Sequence, residues 1–257
     1  MVQASVGFQC PECARGGRQR VYTARTLGQV NRPVVTQALI AINAAVFFIG
    51  LQQGGSVGGG FTSGAVDAFE RDWALIGSGG VRGQLIGVAH GEWYRLVTGG
   101  FLHANALHIL MNMAALWFLG SQLEPALGRL RFGVVYGSSL LAGSLGVMLL
   151  SPHQVTVGAS GAIFGLLGAV VSAQRAHGIN IWQSGIGGLL VINLLFTFGI
   201  SSISIGGHLG GLAGGLVCGE ILYKLVPRKQ GTLATGLCVA VGLACFVAAL
   251  AVGQSSA

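Results

Sequence analysis

Long apolar stretches constrain what this chain can fold into more than any other feature of its sequence. A helix needs about 20 mostly apolar residues to span the hydrocarbon core of a bilayer. Only 8% of the 257 residues are charged, against about 25% in an ordinary soluble domain. Seven stretches approach or reach the required length: residues 34–51, 105–123, 132–150, 159–173, 181–200, 205–226 and 233–252. The sequence therefore predicts an all-α fold, a polytopic membrane bundle of seven transmembrane helices.

The positions of the basic residues predict how this bundle is oriented. Lys and Arg concentrate in cytoplasmic loops of membrane proteins. With a cytoplasmic N-terminus, the outer side holds Arg71, Arg82 and Arg95, and the other eleven of the fourteen Lys and Arg residues lie inside. Topology therefore explains the net charge of +7. We expect the chain to be surrounded by the lipid bilayer and not to bind nucleic acid.

The tail before the first apolar stretch, residues 1–33, carries five arginines and lacks the apolar core of a signal peptide. We expect it to be cytoplasmic. Cys10 and Cys13 form a Cys-Pro-Glu-Cys pair, which supplies half of a tetrahedral zinc site. Two interpretations stay open: a reduced pair on a flexible tail, which is favoured, or a zinc half-site completed by dimerisation. Otherwise the sequence predicts no metal and no cofactor.

Polar residues in the second apolar stretch are candidates for function, because ionisable groups in a membrane span are costly. His108 and Asn112 are four residues apart, so they lie on one face of a helix. His103 lies further out, near the membrane interface. A single such residue more often ties two helices together. A stacked His and Asn that can donate to one point favour a functional site.

Ser160 begins the fourth apolar stretch, within Gly158-Ala159-Ser160-Gly161. This stretch is short, which predicts a helix that starts inside a cavity, where irregular backbone is tolerated. The first N–H groups of a helix have no partner within it and suit an oxyanion. Ser160 is therefore a candidate nucleophile.

His208 in the sixth apolar stretch is the candidate base. Beginning just before His208, glycines recur at every fourth position, a pattern that permits close packing of membrane helices. They are Gly207, Gly211, Gly215 and Gly219, and the fourth stretch offers Gly161 and Gly165 as a matching face. If these faces meet, Ser160 and His208 lie at the same depth.

Together these residues meet the requirements of acyl transfer. Ser160 needs an adjacent base to become a nucleophile, and His208 can serve. His108, Asn112 and the N–H of Ser160 can donate to the oxyanion of a tetrahedral intermediate. No Asp or Glu lies in the spans beside His208. The sequence thus predicts a Ser–His dyad without an acidic third member.

Four motifs in order resemble the rhomboid family of intramembrane serine proteases. They are Glu92-Trp93-Tyr94-Arg95, His103 through His108 to Asn112, Gly158-Ala159-Ser160-Gly161, and Gly207-His208. The resemblance implies a six-helix catalytic core over residues 34–226, with a water-filled active site that opens to the outer face. Residues 227–257 then form a linker and an extra C-terminal helix. The implied activity is cleavage of transmembrane segments of other, single-pass membrane proteins, in the bacterial cell membrane.

The same resemblance assigns roles to individual residues. Ser160 is implied as nucleophile and His208 as general base, with His108 and Asn112 as side chains of the oxyanion hole. Arg95 is implied as the arginine of the family's Trp-Arg pair in the outer loop of residues 52–98. Supporting positions are His103, Gly158 and Gly161. One departure is that Tyr94, and not Trp93, directly precedes Arg95.

Two alternatives stay open. The first is a catalytically silent, rhomboid-like protein that binds client helices, although such a protein should have lost Ser160 or His208. The second is a transporter, since polar residues in spans also mark substrate pathways. Transporters often carry internal repeats, and the two halves of this sequence show none that is convincing.

Overall fold

The computed structural model describes residues 2–3, 8–9, 32–54, 68–81 and 84–255 of the chain. The chain divides into two units, Met1–Arg32 and Pro33–Ala257. In the first unit, strand β1 (Val2–Gln3) pairs antiparallel with strand β2 (Phe8–Gln9). Cys10 and Cys13 lie outside the described residues, so the zinc half-site stays a prediction.

The second unit is built mainly of helices, and each of the seven apolar stretches overlaps one of them. In chain order these are α1 (Val34–Gln52), α4 (Ala106–Leu127), α5 (Arg129–Leu150), α6 (Ser160–Ala176), α7 (Ile186–Gly199), α8 (Ile205–Leu225) and α9 (Gly231–Ser255). Shorter elements lie between α1 and α4: α2 (Ala68–Trp73), the antiparallel strands β3 (Gly79–Val81) and β4 (Gln84–Ile86), and α3 (Arg95–Thr98). The chain is thus an integral, multi-pass membrane protein with an all-α fold, as predicted.

Five of the described helices, α1, α4, α5, α8 and α9, are long and apolar enough to cross a membrane. Helix α6 has 17 residues and α7 has 14. The number of seven spans therefore stays a prediction. Helix α7 begins at Ile186, five residues after the start of its apolar stretch, because residues 181–184 form a turn.

Helix α8 packs against α6 with their backbones in contact. A Cβ atom added at Gly211 would overlap the backbone of Gly161, and one added at Gly215 would overlap that of Gly165. The absence of side chains at these four positions is therefore what allows the approach. The predicted glycine faces meet as expected.

A neighbouring face of α8 packs equally closely against α5, and the glycine repeat did not predict this contact. A Cβ at Gly206 would overlap the backbone of Gly146, and one at Gly210 would overlap that of Ala142. Helix α8 is thus fixed on two sides by backbone contact. Helix α5 also contacts α9, where Ser138 Oγ donates to the carbonyl of Cys238 at 2.8 Å.

A carboxylate from another helix caps the beginning of α1. Glu124 of α4 is only 2% exposed. It accepts hydrogen bonds of 2.8 Å from the N–H of Val35 and from both the N–H and the hydroxyl of Thr36. The first N–H groups of a helix lack intrahelical partners, and a negative charge is favourable there. Glu124 therefore fastens α1 to the bundle.

Adding one methyl group at the α6–α8 contact should destabilise the protein. We expect Gly215→Ala to cost about 1–3 kcal/mol, the usual effect of overpacking, because the new Cβ would enter the backbone of Gly165. The matched control is Gly137→Ala in α5, where no atom of the described residues lies within 4 Å of the added Cβ. The measurement is the midpoint of thermal unfolding in detergent micelles. Equal midpoints for the two variants would contradict the close contact.

Candidate active site

The turn before α6 places Ser160 at the first position of the helix. Gly158 has φ +123°, a conformation that side-chain-bearing residues rarely adopt. Its N–H donates to the carbonyl of Gly99 at 3.0 Å, and Ala159 is the residue that precedes the helix. The N–H groups of Ser160 and Gly161 have no partner within the helix. The turn thus combines a hydroxyl with backbone N–H groups that the helix itself does not pair.

Ser160 and His208 form a hydrogen bond. The distance from Ser160 Oγ to His208 Nε2 is 2.8 Å. This is within the range needed for proton transfer between a nucleophile and a base. His208 is 8% exposed, and its ring stacks on Phe164 with centroids 4.0 Å apart and planes inclined by 18°. The two residues belong to α6 and α8, so the glycine contact between these helices sets their separation.

The other ring nitrogen of His208 contacts a residue that the sequence analysis did not single out. His208 Nδ1 lies 2.7 Å from Thr197 Oγ1 in α7. Thr197 is 1% exposed, and its hydroxyl donates to the carbonyl of Asn193 at 2.7 Å. The available signal was a hydroxyl within an apolar stretch, but such residues are common in membrane helices.

His108 lies against the turn of residues 158–160, and Asn112 lies one helical turn further along α4. His108 Nε2 would be 2.8 Å from a Cβ atom added at Gly158, so its ring lies directly against this turn. Asn112 Nδ2 donates to the carbonyl of His108 at 3.2 Å, which uses one of its two amide hydrogens. Asn105 caps α4 by accepting from the N–H of His108 at 2.9 Å. This hydrogen bond fixes the backbone of His108 at the start of α4, and so the position from which its side chain extends.

The ring of His103 packs against the ring of His108. The two rings meet edge-on, with centroids 5.1 Å apart and planes inclined by 68°. Burial, and to a lesser degree the neighbouring His108, lower the pKa of His103 to about 3. His103 is therefore neutral at pH 7 and acts as a packing partner.

Arg95 lies away from Ser160 and organises the loop before α3. Its side chain is 2% exposed. Nη1 donates to the carbonyls of Arg71 and Ala74 at 2.8 and 2.9 Å, and Nε donates to Glu92 Oε2 at 2.7 Å. Burial alone would raise the pKa of Glu92, but hydrogen bonds from Arg95 and the N–H of Gly87 outweigh it and hold that pKa below its usual value. The ion pair therefore persists at neutral pH.

This loop reaches the nucleophile turn through backbone pairing. Leu75, which follows the Ala74 carbonyl held by Arg95, exchanges two hydrogen bonds with Thr156, at 3.0 and 2.8 Å. Thr156 precedes Gly158 by two residues. Arg95 thus influences the site through the backbone and not by direct contact. Tyr94 stands where the family's Trp-Arg pair has its tryptophan. Its ring packs edge-on against Trp73, with ring centroids 5.5 Å apart.

Comparison with known proteins identifies relatives of this arrangement. Residues 90–225 match the Rhomboid domain family. “Rhomboid protease GluP” of Bacillus subtilis is 34% identical over 203 residues, which are 78% of this chain and 37% of that protein. “Putative rhomboid protease YdcA” of the same organism is 40% identical over 154 residues, 58% of this chain and 76% of that protein. “RHOMBOID-like protein 5” of Arabidopsis thaliana is 36% identical over 143 residues, 52% of this chain and 46% of that protein. The chain thus spans well under two thirds of the first and third relatives.

A side chain at position 158 should disable the site without unfolding it. The Cβ of Gly158→Ala would displace the ring of His108, which is predicted to donate to an oxyanion. Loss of one such donor typically costs about 10²–10³ in rate. We expect labelling of Ser160 by a fluorophosphonate to slow by about 100-fold. Gly128→Ala is the control. Gly128 also has positive φ (+82°), but among the residues that the structure describes no atom lies within 4 Å of a Cβ added there. Equal labelling rates in the two variants would argue against this placement of His108.

Proposed function

We propose that this chain, which belongs to the rhomboid family, is an intramembrane serine endopeptidase that works through a Ser–His dyad. The observation that carries the proposal is the hydrogen bond of 2.8 Å between Ser160 Oγ and His208 Nε2. The family match covers residues 90–225 and so includes both residues. A catalytically silent protein that only binds client helices would not need a hydrogen bond between Ser160 and His208. The presence of this bond therefore favours a protease.

The first half of the proposed reaction forms an acyl-enzyme. Ser160 Oγ attacks the carbonyl carbon of the scissile peptide while His208 Nε2 takes the hydroxyl proton. The carbonyl oxygen becomes an oxyanion that accepts from the N–H of Ser160 and the side chains of His108 and Asn112. The C–N bond then breaks, and His208 gives its proton to the leaving amine.

The second half releases the acyl group. A water molecule attacks the ester carbon while His208 Nε2 takes a proton from it. The tetrahedral intermediate again places its oxyanion among the same donors. Its collapse breaks the bond to Ser160 Oγ, which recovers its proton from His208, and a new carboxylic acid leaves. The partly exposed Ser160 is accessible for both steps.

The proposed substrates are single-pass membrane proteins, cut at the outer face of the bacterial cell membrane. The charge distribution supports an N-terminus in the cytoplasm. Glu220, three turns beyond His208 on α8, pairs with Lys224 at 3.1 Å and Arg175 at 3.9 Å. These cations lie at the end of α8 opposite to His208, which supports an active site near the outer face.

Removing either dyad residue should abolish cleavage. Purified protein in detergent is given a model transmembrane substrate, and the wild type is compared with Ser160→Ala and His208→Ala. We expect both variants to fall to background, because the nucleophile or its base is missing. Ser121→Ala and His153→Ala, which change the same residue types elsewhere, should cleave like the wild type. Cleavage that persists in both dyad variants would exclude the mechanism.

Helix-weakening residues in the substrate should promote cleavage. A scissile carbonyl bonded within a helix is shielded from Ser160, so we expect preferred sites with Gly or Pro nearby and a small residue just before the cut. Replacing two such Gly residues by Leu stabilises the substrate helix by about 1.6 kcal/mol, so cleavage should slow about tenfold. The measurement is the initial rate, with two Ala→Leu changes in the same substrate as control. Unchanged rates would contradict the requirement for unwinding.

A further inference from the structure

We infer that Thr197 is the positioning residue of this site, holding His208 in the tautomer whose Nε2 can accept the proton of Ser160. This inference rests on the proposed protease function. The apolar stretches contain no carboxylate beside His208 that could orient its ring. The neutral hydroxyl of Thr197 on α7 would orient the ring instead.

The direction of each hydrogen bond follows from counting hydrogens. A threonine hydroxyl has one hydrogen to donate, and Thr197 donates it to the carbonyl of Asn193 at 2.7 Å. Toward His208 Nδ1, also at 2.7 Å, Thr197 Oγ1 can therefore only accept. Nδ1 must carry the ring hydrogen, which leaves Nε2 of the neutral imidazole unprotonated.

The unprotonated nitrogen is the one that faces the nucleophile. Ser160 Oγ lies 2.8 Å from His208 Nε2, so the serine hydroxyl donates to it. The bonds then form one directed chain from Ser160 through His208 and Thr197 to the carbonyl of Asn193. Since hydrogen bonds in such a chain polarise one another, proton transfer from Ser160 is favoured.

The stacking of Phe164 does not by itself select this arrangement. Its ring fixes the plane of the imidazole, with planes inclined by 18°. A half-turn of the imidazole about its Cβ–Cγ bond keeps that plane but replaces the nitrogens with carbons. Only the hydrogen bonds at the two ring nitrogens distinguish the orientations, and Thr197 supplies the one that is not part of the reaction.

Burial makes the Thr197 contact selective. Thr197 is 1% exposed and His208 is 8% exposed, so bulk water does not readily replace the hydroxyl. During the reaction His208 becomes an imidazolium, and hydrogen bonds to charged groups are stronger than those between neutral groups. Thr197 therefore contributes more to the transition state than to the resting enzyme.

Two substitutions at Thr197 and one matched control test this inference. Thr197→Val keeps the shape but removes the hydroxyl, and Thr197→Ser keeps the hydroxyl. The control is Thr235→Val in α9, because Thr235 makes the same kind of bond to the carbonyl four residues earlier, Gly231, at 2.8 Å. For each protein, kcat and KM are measured on the model transmembrane substrate.

A spectroscopic readout reports the tautomer independently of activity. The imidazole nitrogens of protein labelled with 15N-histidine are observed by NMR, and His208 is assigned by the signals lost in His208→Ala. We expect the wild type to have a protonated Nδ1 and an unprotonated Nε2. In Thr197→Val the signals should move toward the opposite or a mixed tautomer.

We expect Thr197→Val to lower kcat by about 10- to 100-fold, the range for loss of a hydrogen bond to a charged group, with KM unchanged. Thr197→Ser should recover most of kcat, and Thr235→Val should match the wild type. Wild-type kcat in Thr197→Val, an equal loss in Thr197→Ser, or unchanged His208 signals in Thr197→Val would overturn the inference. A wild type that does not cleave at all would instead refute the proposed function, while the NMR comparison would still report on Thr197.

Discussion

The contact between the backbones of α6 and α8 is the constraint on which the rest of the structure depends. Ser160 begins α6 and His208 lies in the first turn of α8, and both precede the glycines through which these helices meet. No flexible side chain intervenes between the two helices there. The separation of 2.8 Å between Ser160 Oγ and His208 Nε2 therefore depends on the packing of the polypeptide backbone. Helix α5 holds a neighbouring face of α8 in the same way.

The remaining groups are brought to this pair by backbone pairing and caps. Arg95 fixes the Ala74 carbonyl, and the adjacent Leu75 pairs with Thr156 just before the nucleophile turn. On the other side, the Asn105 cap positions His108 against Gly158. Hydrogen bonds thus set the positions of His108 and of the turn at Gly158, whereas helix packing sets the position of His208.

Much of this could be predicted from the sequence, because the decisive signals are periodic or local. Apolar stretches predict the helices, and a four-residue glycine repeat predicts which helix faces meet. Thr197 was not found because a single hydroxyl in an apolar helix has no distinguishing spacing. Glu124 caps a helix that begins 90 residues earlier in the chain, and no local pattern links such positions. Gly206 and Gly210 form a second glycine face on α8. The sequence contains no pattern that identifies α5 as the helix packed against this face.

The glycine contact also has a consequence for assembly. Lipid tails are as apolar as a leucine side chain, so helix association in a membrane gains little from the hydrophobic effect. Freezing the rotamers of buried side chains normally opposes association. Where α6 meets α8 at Gly161, Gly165, Gly211 and Gly215, there are no rotamers to freeze. Entropy therefore opposes the docking of these two helices less than it would at a side-chain interface, and Ser160 and His208 are brought together with little ordering of side chains.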